Sequence, residues 1–166
     1  MSGIPGWHPI VVHFPLALVV TATLLLWAAR LRRLKPDTAT LSIVGTWNLC
    51  LGTASAVLAL ASGLAAVLHL QVGADAPGAA AHLAISLHLK WAFFSTLLLV
   101  LAAVWRGAGS APDSLPSWMF LVLLSIAAAS LIVTGYRGGQ NVYRYGVGVR
   151  AADSVVSSAT APAPVR

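Results

Sequence analysis

The sequence predicts an all-α integral membrane protein, a bundle of four spanning helices, and composition and chain length are the observations that predict it. Of the 166 residues, 58% are hydrophobic and 8% are charged, whereas a soluble domain carries about 25% charged residues. Four Asp and no Glu are present. Because so few charges cannot cover a water-facing surface, we expect the lipid bilayer to be the solvent. The chain has room for four apolar runs of the roughly 20 residues that a spanning helix needs.

The first predicted span covers residues 9–29. Pro9 and Pro15 lie in or just before its first turns, where a missing N–H is least costly. Trp27 near the other end is typical of an interfacial anchor. The segment 30–35 then brings four positive charges, and the positive-inside rule places such a loop in the cytoplasm. We therefore expect an inner-membrane protein with both termini in the periplasm.

Three further spans are predicted at residues 41–70, 81–105 and 117–135. They follow the same pattern of long apolar runs separated by loops rich in Gly and Pro, so the predicted four-span domain covers residues 1–150. One face of the second span is a stripe of small residues, which favours close helix packing. The stripe consists of Gly52, Ala56, Ala59 and Gly63.

The C-terminal part of the chain predicts two other kinds of structure. Apolar residues alternate over 142–149, a period-two pattern that indicates an extended segment after the last helix. Residues 151–166 are small, polar and contain proline, which predicts a disordered tail.

Charge and motif content exclude several functions. The net charge is +6, but the basic residues flank apolar runs and form no solvated patch with interleaved aromatics, so nucleic acid is not an expected partner. They are typical of contacts to lipid headgroups. Cys50 is alone, which excludes a thiolate metal cluster. No phosphate loop, carboxylate pair or Ser/His/Asp arrangement is found, so a redox role would be that of an electron-transfer subunit without independent activity.

The five histidines are the candidate site residues. In an antiparallel four-span bundle, the start of spans one and three and the end of span two share one membrane face. An imidazole there loses its water and needs a partner. All five histidines fall at that face: His8, His13, His69, His82 and His88.

His13 and His88 form the pair that we expect to look inward, because small or hydroxyl-bearing residues share their helix faces. Two facing imidazoles can ligate a heme iron axially. Lys90 and Arg137 would then pair the heme propionates. The leading hypothesis is therefore electron transfer through a b-type heme.

Three alternatives remain open at this point. Three or more of the five histidines could hold a bare metal ion, since a closed zinc site takes four ligands. A quinone pocket or a proton relay would also use polar side chains at this depth. Alternatively, backbone carbonyls or hydroxyls satisfy the histidines, and the protein is a non-catalytic membrane scaffold or assembly subunit.

Two motifs carry a family resemblance. The pattern HPxxxHFP at residues 8–15 and the pattern GGxxVYxxGVGV at residues 138–149 together resemble a bacterial family of predicted four-span membrane proteins. It is catalogued as domain of unknown function twenty-two thirty-one, and the resemblance covers roughly residues 5–150. It implies a histidine at the head of the third span, where this chain has His82 and His88. The layout is similar to that of small b-type cytochrome subunits, which implies a membrane or periplasmic redox protein as partner.

Overall fold

Every regular element that the structure describes is a helix. The structure is a computed structural model that describes residues 8–72, 78–109 and 111–147, with only the backbone for 69–72. The predicted tail at 151–166 and Trp7 lie outside the described residues. The helices are α1 (His8–Val11), α2 (His13–Leu31), α3 (Thr38–Val72), α4 (Ala79–Gly109) and α5 (Trp118–Tyr143).

The first span is broken near its start. The helix assignment is interrupted at Val12, although its backbone angles (φ −65°, ψ −18°) stay close to helical values. Pro15 lies one turn after Val11 and has no N–H to donate to the Val11 carbonyl. This missing hydrogen bond explains a break at this point. Together α1 and α2 form one apolar run, His8–Leu31.

The four predicted spans are confirmed as four long apolar helices, each suited to crossing a membrane. α3 has 35 residues, which at 1.5 Å per residue is about 52 Å, longer than the roughly 30 Å hydrocarbon core. α5 ends at Tyr143, eight residues beyond the predicted end at 135. The extended segment predicted from residue 142 is therefore not found as far as Val147, and residues 148 and 149 lie outside the description.

A glycine turn closes α5 in place of that segment. The Val147 N–H donates to the Asn141 carbonyl at 2.9 Å, and the Gly146 N–H donates to the Val142 carbonyl at 3.1 Å. Gly146 has φ +63°. The bond from the left-handed Gly146 to the carbonyl four residues earlier is the αL C-cap motif. The apolar alternation that suggested a strand thus belongs to a helix end and its turn.

The helices form a closed ring. α2 packs against α3, α3 against α4, α4 against α5 and α5 against α2, while the described residues give no contact between α2 and α4 or between α3 and α5. α1 contacts α2 and α3. α2 and α4 are therefore diagonal partners. The central core comprises Val19, Ala22, Leu26, Leu49, Ala56, Leu99, Ala102, Phe120, Leu121, Leu124, Ala127, Ala128 and Leu131.

The small-residue stripe on α3 packs against the first span, as predicted. A β-carbon at Gly52 would lie 2.9 Å from Val19 Cγ2, and one at Gly63 would lie 3.0 Å from His8 Cε1. Ala56 is 3% exposed. The absence of bulk on this stripe lets the two helices approach closely.

The two ends of the bundle differ in chemistry. We call the end where α1 begins and α5 ends the histidine end, and the end where α2 ends and α5 begins the arginine end. At the arginine end, Trp27 Nε1–H donates to Ser125 Oγ at 3.0 Å. The Trp27 ring also packs on Trp118 at 5.7 Å, and the Arg30 guanidinium lies 4.8 Å above the Trp118 ring. Aromatic and cationic groups together typify a helix end at a membrane interface.

Candidate cofactor site

His8 lies at the start of the first span and is anchored to α3. Its Nδ1 is 2.6 Å from Ser62 Oγ, and Ser62 is 2% exposed. The Ser62 hydroxyl donates its own proton to the Ala59 carbonyl at 2.9 Å. A His8 with its proton on Nδ1 donates to Ser62 and leaves this bond intact. His8 is therefore half-buried and bonded.

His88 occupies a matching position between α4 and α5. Its Nδ1–H donates to the Thr134 carbonyl at 3.1 Å. The ring lies over Gly138, where a β-carbon would be 3.1 Å from His88 Cε1. His8 and Arg137 lie within electrostatic range of His88. The structure thus brings His8 and His88 into one region at the histidine end.

The same tautomer satisfies the hydrogen bonds of both rings. The Thr134 carbonyl accepts and cannot donate, so a neutral His88 carries its proton on Nδ1, and the same tautomer of His8 lets Ser62 keep its bond to the Ala59 carbonyl. The Nε2 atom then keeps its lone pair. Metal-ligating histidines usually show this arrangement, with one ring N–H donated to a protein oxygen and the other nitrogen left for the metal. His8 and His88 therefore match the donor set of a bis-histidine heme.

The glycines beneath the two rings complete this match. Gly63 of α3 lies against the His8 ring, and Gly138 of α5 lies against the His88 ring. The two histidines come from α1 and α4, which do not contact each other in the described residues. Each imidazole thus packs against one neighbouring helix. The two histidines project from helices that lie diagonally opposite each other in the bundle.

His13 is oriented differently from the expected inward position. It is exposed, and its Nδ1 bonds to the Pro9 carbonyl of its own first turns at 2.6 Å. A side chain satisfied locally on the outer surface gives the predicted pairing of His13 with His88 no support. The pairing remains a prediction, whereas His8 provides the inward partner.

The other predicted site residues divide between the surface and the interior. His82 and Lys90 are exposed on α4, so the structure does not bring them to the His8–His88 region. His69 lies in the last turn of α3 near the same end, and its side chain lies outside the description. Arg137 is partly buried, with its guanidinium 5.8 Å above the Trp91 ring. Of the two predicted propionate partners, Arg137 is therefore the one near the histidine pair.

A bare metal site receives no support from the described residues. No three His, Cys, Asp or Glu side chains within residues 8–72, 78–109 and 111–147 come close enough together to hold a metal ion. A structural zinc site takes four such ligands.

Arg106 is a buried polar residue that the sequence does not single out. It is 3% exposed. It donates to Ser42 Oγ at 2.7 Å and to Thr46 Oγ1 at 3.0 Å, both on α3. It also bonds to the α4–α5 loop, donating to the carbonyls of Pro112 and Ser114 at 3.0 and 2.7 Å. Hydroxyl residues near the end of another span were the sequence signal that could have revealed this.

The fold and the histidine pair together define a four-span membrane helix bundle with two inward imidazoles at one end. A family model described as predicted membrane protein (DUF2231) matches residues 5–151. The chain belongs to this family, which confirms the resemblance of its first and last motifs. Searches among curated proteins and among solved structures gave no significant match.

Proposed function

We propose that this protein is an electron-transfer subunit that carries a b-type heme between His8 and His88. The observation that supports the proposal is the shared state of the two rings, in which Nδ1–H is donated to a protein oxygen and Nε2 makes no hydrogen bond to the described residues. Heme iron takes its remaining four ligands from the porphyrin, so two histidines suffice.

The chain's own residues would hold and tune this group. Ser62 and the Thr134 carbonyl orient the rings and make Nε2 more basic. Arg137 supplies a positive charge near His88, which would favour the reduced state. When bound, the heme supplies a one-electron iron couple.

We also propose that the histidine end faces the periplasm, where a membrane or periplasmic redox protein would dock. Arg32, Arg33 and Lys35 are exposed at the arginine end, as the positive-inside rule expects of a cytoplasmic loop. A membrane-impermeant maleimide on intact cells tests this orientation. In a Cys50→Ala background, Gly78→Cys should be labelled and Pro36→Cys should not. The reverse pattern would overturn the orientation.

An absorption spectrum of the purified protein tests the heme proposal. The protein, made in cells with ample heme and purified in detergent, should show a Soret band. After dithionite it should show sharp α and β bands of a low-spin b-type heme. His8→Ala and His88→Ala should each lose the low-spin spectrum, because each removes an axial ligand. Ser62→Ala should keep the ligand and weaken heme affinity about 10–100-fold, as loss of a ligand-orienting hydrogen bond does.

Two other histidines provide matched controls. His82→Ala removes an exposed imidazole from the same helix as His88 and should leave the spectrum unchanged. His13→Ala separates the two pairings: an unchanged spectrum supports His8 as ligand, whereas loss of the low-spin bands would restore the His13–His88 pair. A colourless wild-type protein would overturn the heme proposal and leave the scaffold as the better explanation.

A further inference from the structure

A small groove lies beside the histidine pair, on the outer side of α4 and α5. Its volume is about 90 Å³. Neither His8 nor His88 lines it, so the groove is separate from the two imidazoles, and Arg137 is near both the groove and His88. One wall is apolar and one is polar. The apolar wall is formed by Ala80, Leu83, Ala84 and Leu87, and the polar wall by Arg137, Gln140, Asn141 and Tyr145.

Two polar atoms of this groove have no hydrogen-bond partner among the described residues. Asn141 is 8% exposed, and its Oδ1 is buried without a partner; the same holds for Arg137 Nε. A buried polar group left unsatisfied costs about 1–3 kcal/mol, so such groups are rare. Residues four apart share a helix face, so the unsatisfied donor Arg137 Nε–H and the unsatisfied acceptor Asn141 Oδ1 lie on the same face of α5. A matching ligand offers an acceptor to Arg137 and a donor to Asn141.

The charge of Arg137 favours an anionic acceptor. In the described part of the chain, the one salt bridge joins Arg32 to Asp37 at the other end of the bundle. Arg137 therefore has no carboxylate partner among the described residues, and its guanidinium lies over the Trp91 ring. A guanidinium prefers phosphate or carboxylate oxygens.

The position and size of the groove further restrict which ligands can bind. The groove lies where two spans end, and Leu83 on its apolar wall is 62% exposed, so one side meets hydrocarbon and the other the interface. A volume of 90 Å³ equals about three water molecules at 30 Å³ each. This accommodates a phosphate with a short substituent, while acyl chains would run outside along α4.

We propose that this groove binds the headgroup of a phospholipid in which the phosphate is followed by a hydrogen-bond donor, as in phosphatidylethanolamine. The phosphate accepts from Arg137 Nε–H, and the ammonium donates to Asn141 Oδ1. Phosphatidylcholine, whose quaternary ammonium has no N–H, lacks the second interaction. The groove thereby distinguishes the two lipids by whether the headgroup ammonium has an N–H to donate. Their net charge does not distinguish them, since both are zwitterionic.

Native mass spectrometry of the full-length, delipidated protein in detergent tests this inference. Phosphatidylethanolamine and phosphatidylcholine with the same acyl chains are titrated separately. We expect the first to bind about tenfold more tightly, as one charge-assisted hydrogen bond to a buried group predicts. Asn141→Leu should abolish the preference, and Asn141→Asp, which keeps acceptor oxygens, should retain it. Retention in the Asp variant shows that the effect is not a general loss of folding.

A matched charge control and a chain-free headgroup complete the test. Arg137→Met should weaken both lipids, whereas Arg144→Met, which removes an exposed charge outside the groove, should weaken neither. Glycerophosphoethanolamine has the same headgroup without acyl chains and should bind far more weakly. Equal binding of the two lipids, an unchanged preference in Asn141→Leu, or equally tight binding of the chain-free headgroup would each overturn the proposal.

Discussion

Replacing Arg106 by methionine should lower the free energy of unfolding by about 3 kcal/mol or more. The guanidinium connects α3 to the α4–α5 loop through five hydrogen bonds, and Ser42 and Thr46 around it are buried. Methionine fills similar volume but leaves these oxygens without donors, at about 1–3 kcal/mol for each buried group. Arg106→Lys should recover little, because an ammonium cannot replace the planar fork. Unfolding by SDS titration in mixed micelles, followed by helical circular dichroism, measures the difference.

Arg32→Met is the matched control for loss of an arginine. Arg32 pairs with Asp37 at 3.1 Å, with both side chains about half exposed. Such a surface pair contributes about 0–1 kcal/mol. If Arg106→Met proved no more destabilising than Arg32→Met, the polar cluster would not hold the arginine end together.

Replacing Gly52 by leucine should destabilise the bundle by about 3 kcal/mol. A β-carbon there would already lie 2.9 Å from Val19 Cγ2 and 3.3 Å from the Val19 backbone nitrogen. The backbone of α2 cannot move aside as a side chain can, so the two helices must separate. Overpacking of this kind costs typically 1–3 kcal/mol, occasionally more. The same SDS titration measures it.

Gly135→Leu provides the control within a spanning helix. No heavy atom lies within 4 Å of a β-carbon at Gly135, and the residue is exposed. Leucine also forms helix better than glycine, by about 0.8–1 kcal/mol. We therefore expect no loss of stability. Equal destabilisation by the two substitutions would contradict the packing role of Gly52.

The number of spans and the packing stripe could be predicted from the sequence because both depend on local properties. Hydrophobic length sets the spans, and the spacing of Gly52, Ala56 and Gly63 sets a helix face. The end of α5 could not be predicted in this way. Gly138 and Gly139 weaken a helix locally, and packing of Gly138 against His88 outweighs that weakness.

The histidine pair was only half predictable for a related reason. His88 lies in a regular helix, so its face follows from the residues around it. His8 lies before the break at Val12, so the helical periodicity of α2 does not predict which way its side chain points. Its partner Ser62 is 54 residues away, a distance over which no local pattern reaches. The burial of Arg106 could not be predicted for the same reason, because its oxygen partners belong to α3 and the α4–α5 loop.

The interruption at Val12 also separates how the two histidines are held. His88 is part of a continuous 31-residue helix, so its backbone is as rigid as the bundle. α1 is four residues long and is only partly coupled to α2, since Pro15 cannot complete the backbone ladder. The first span therefore consists of a short helix and a long one. The position of the short helix α1 against the bundle is set by the Ser62 hydroxyl and by the space above Gly63. The position of His88 therefore follows from its own helix, whereas that of His8 depends on its contacts with α3.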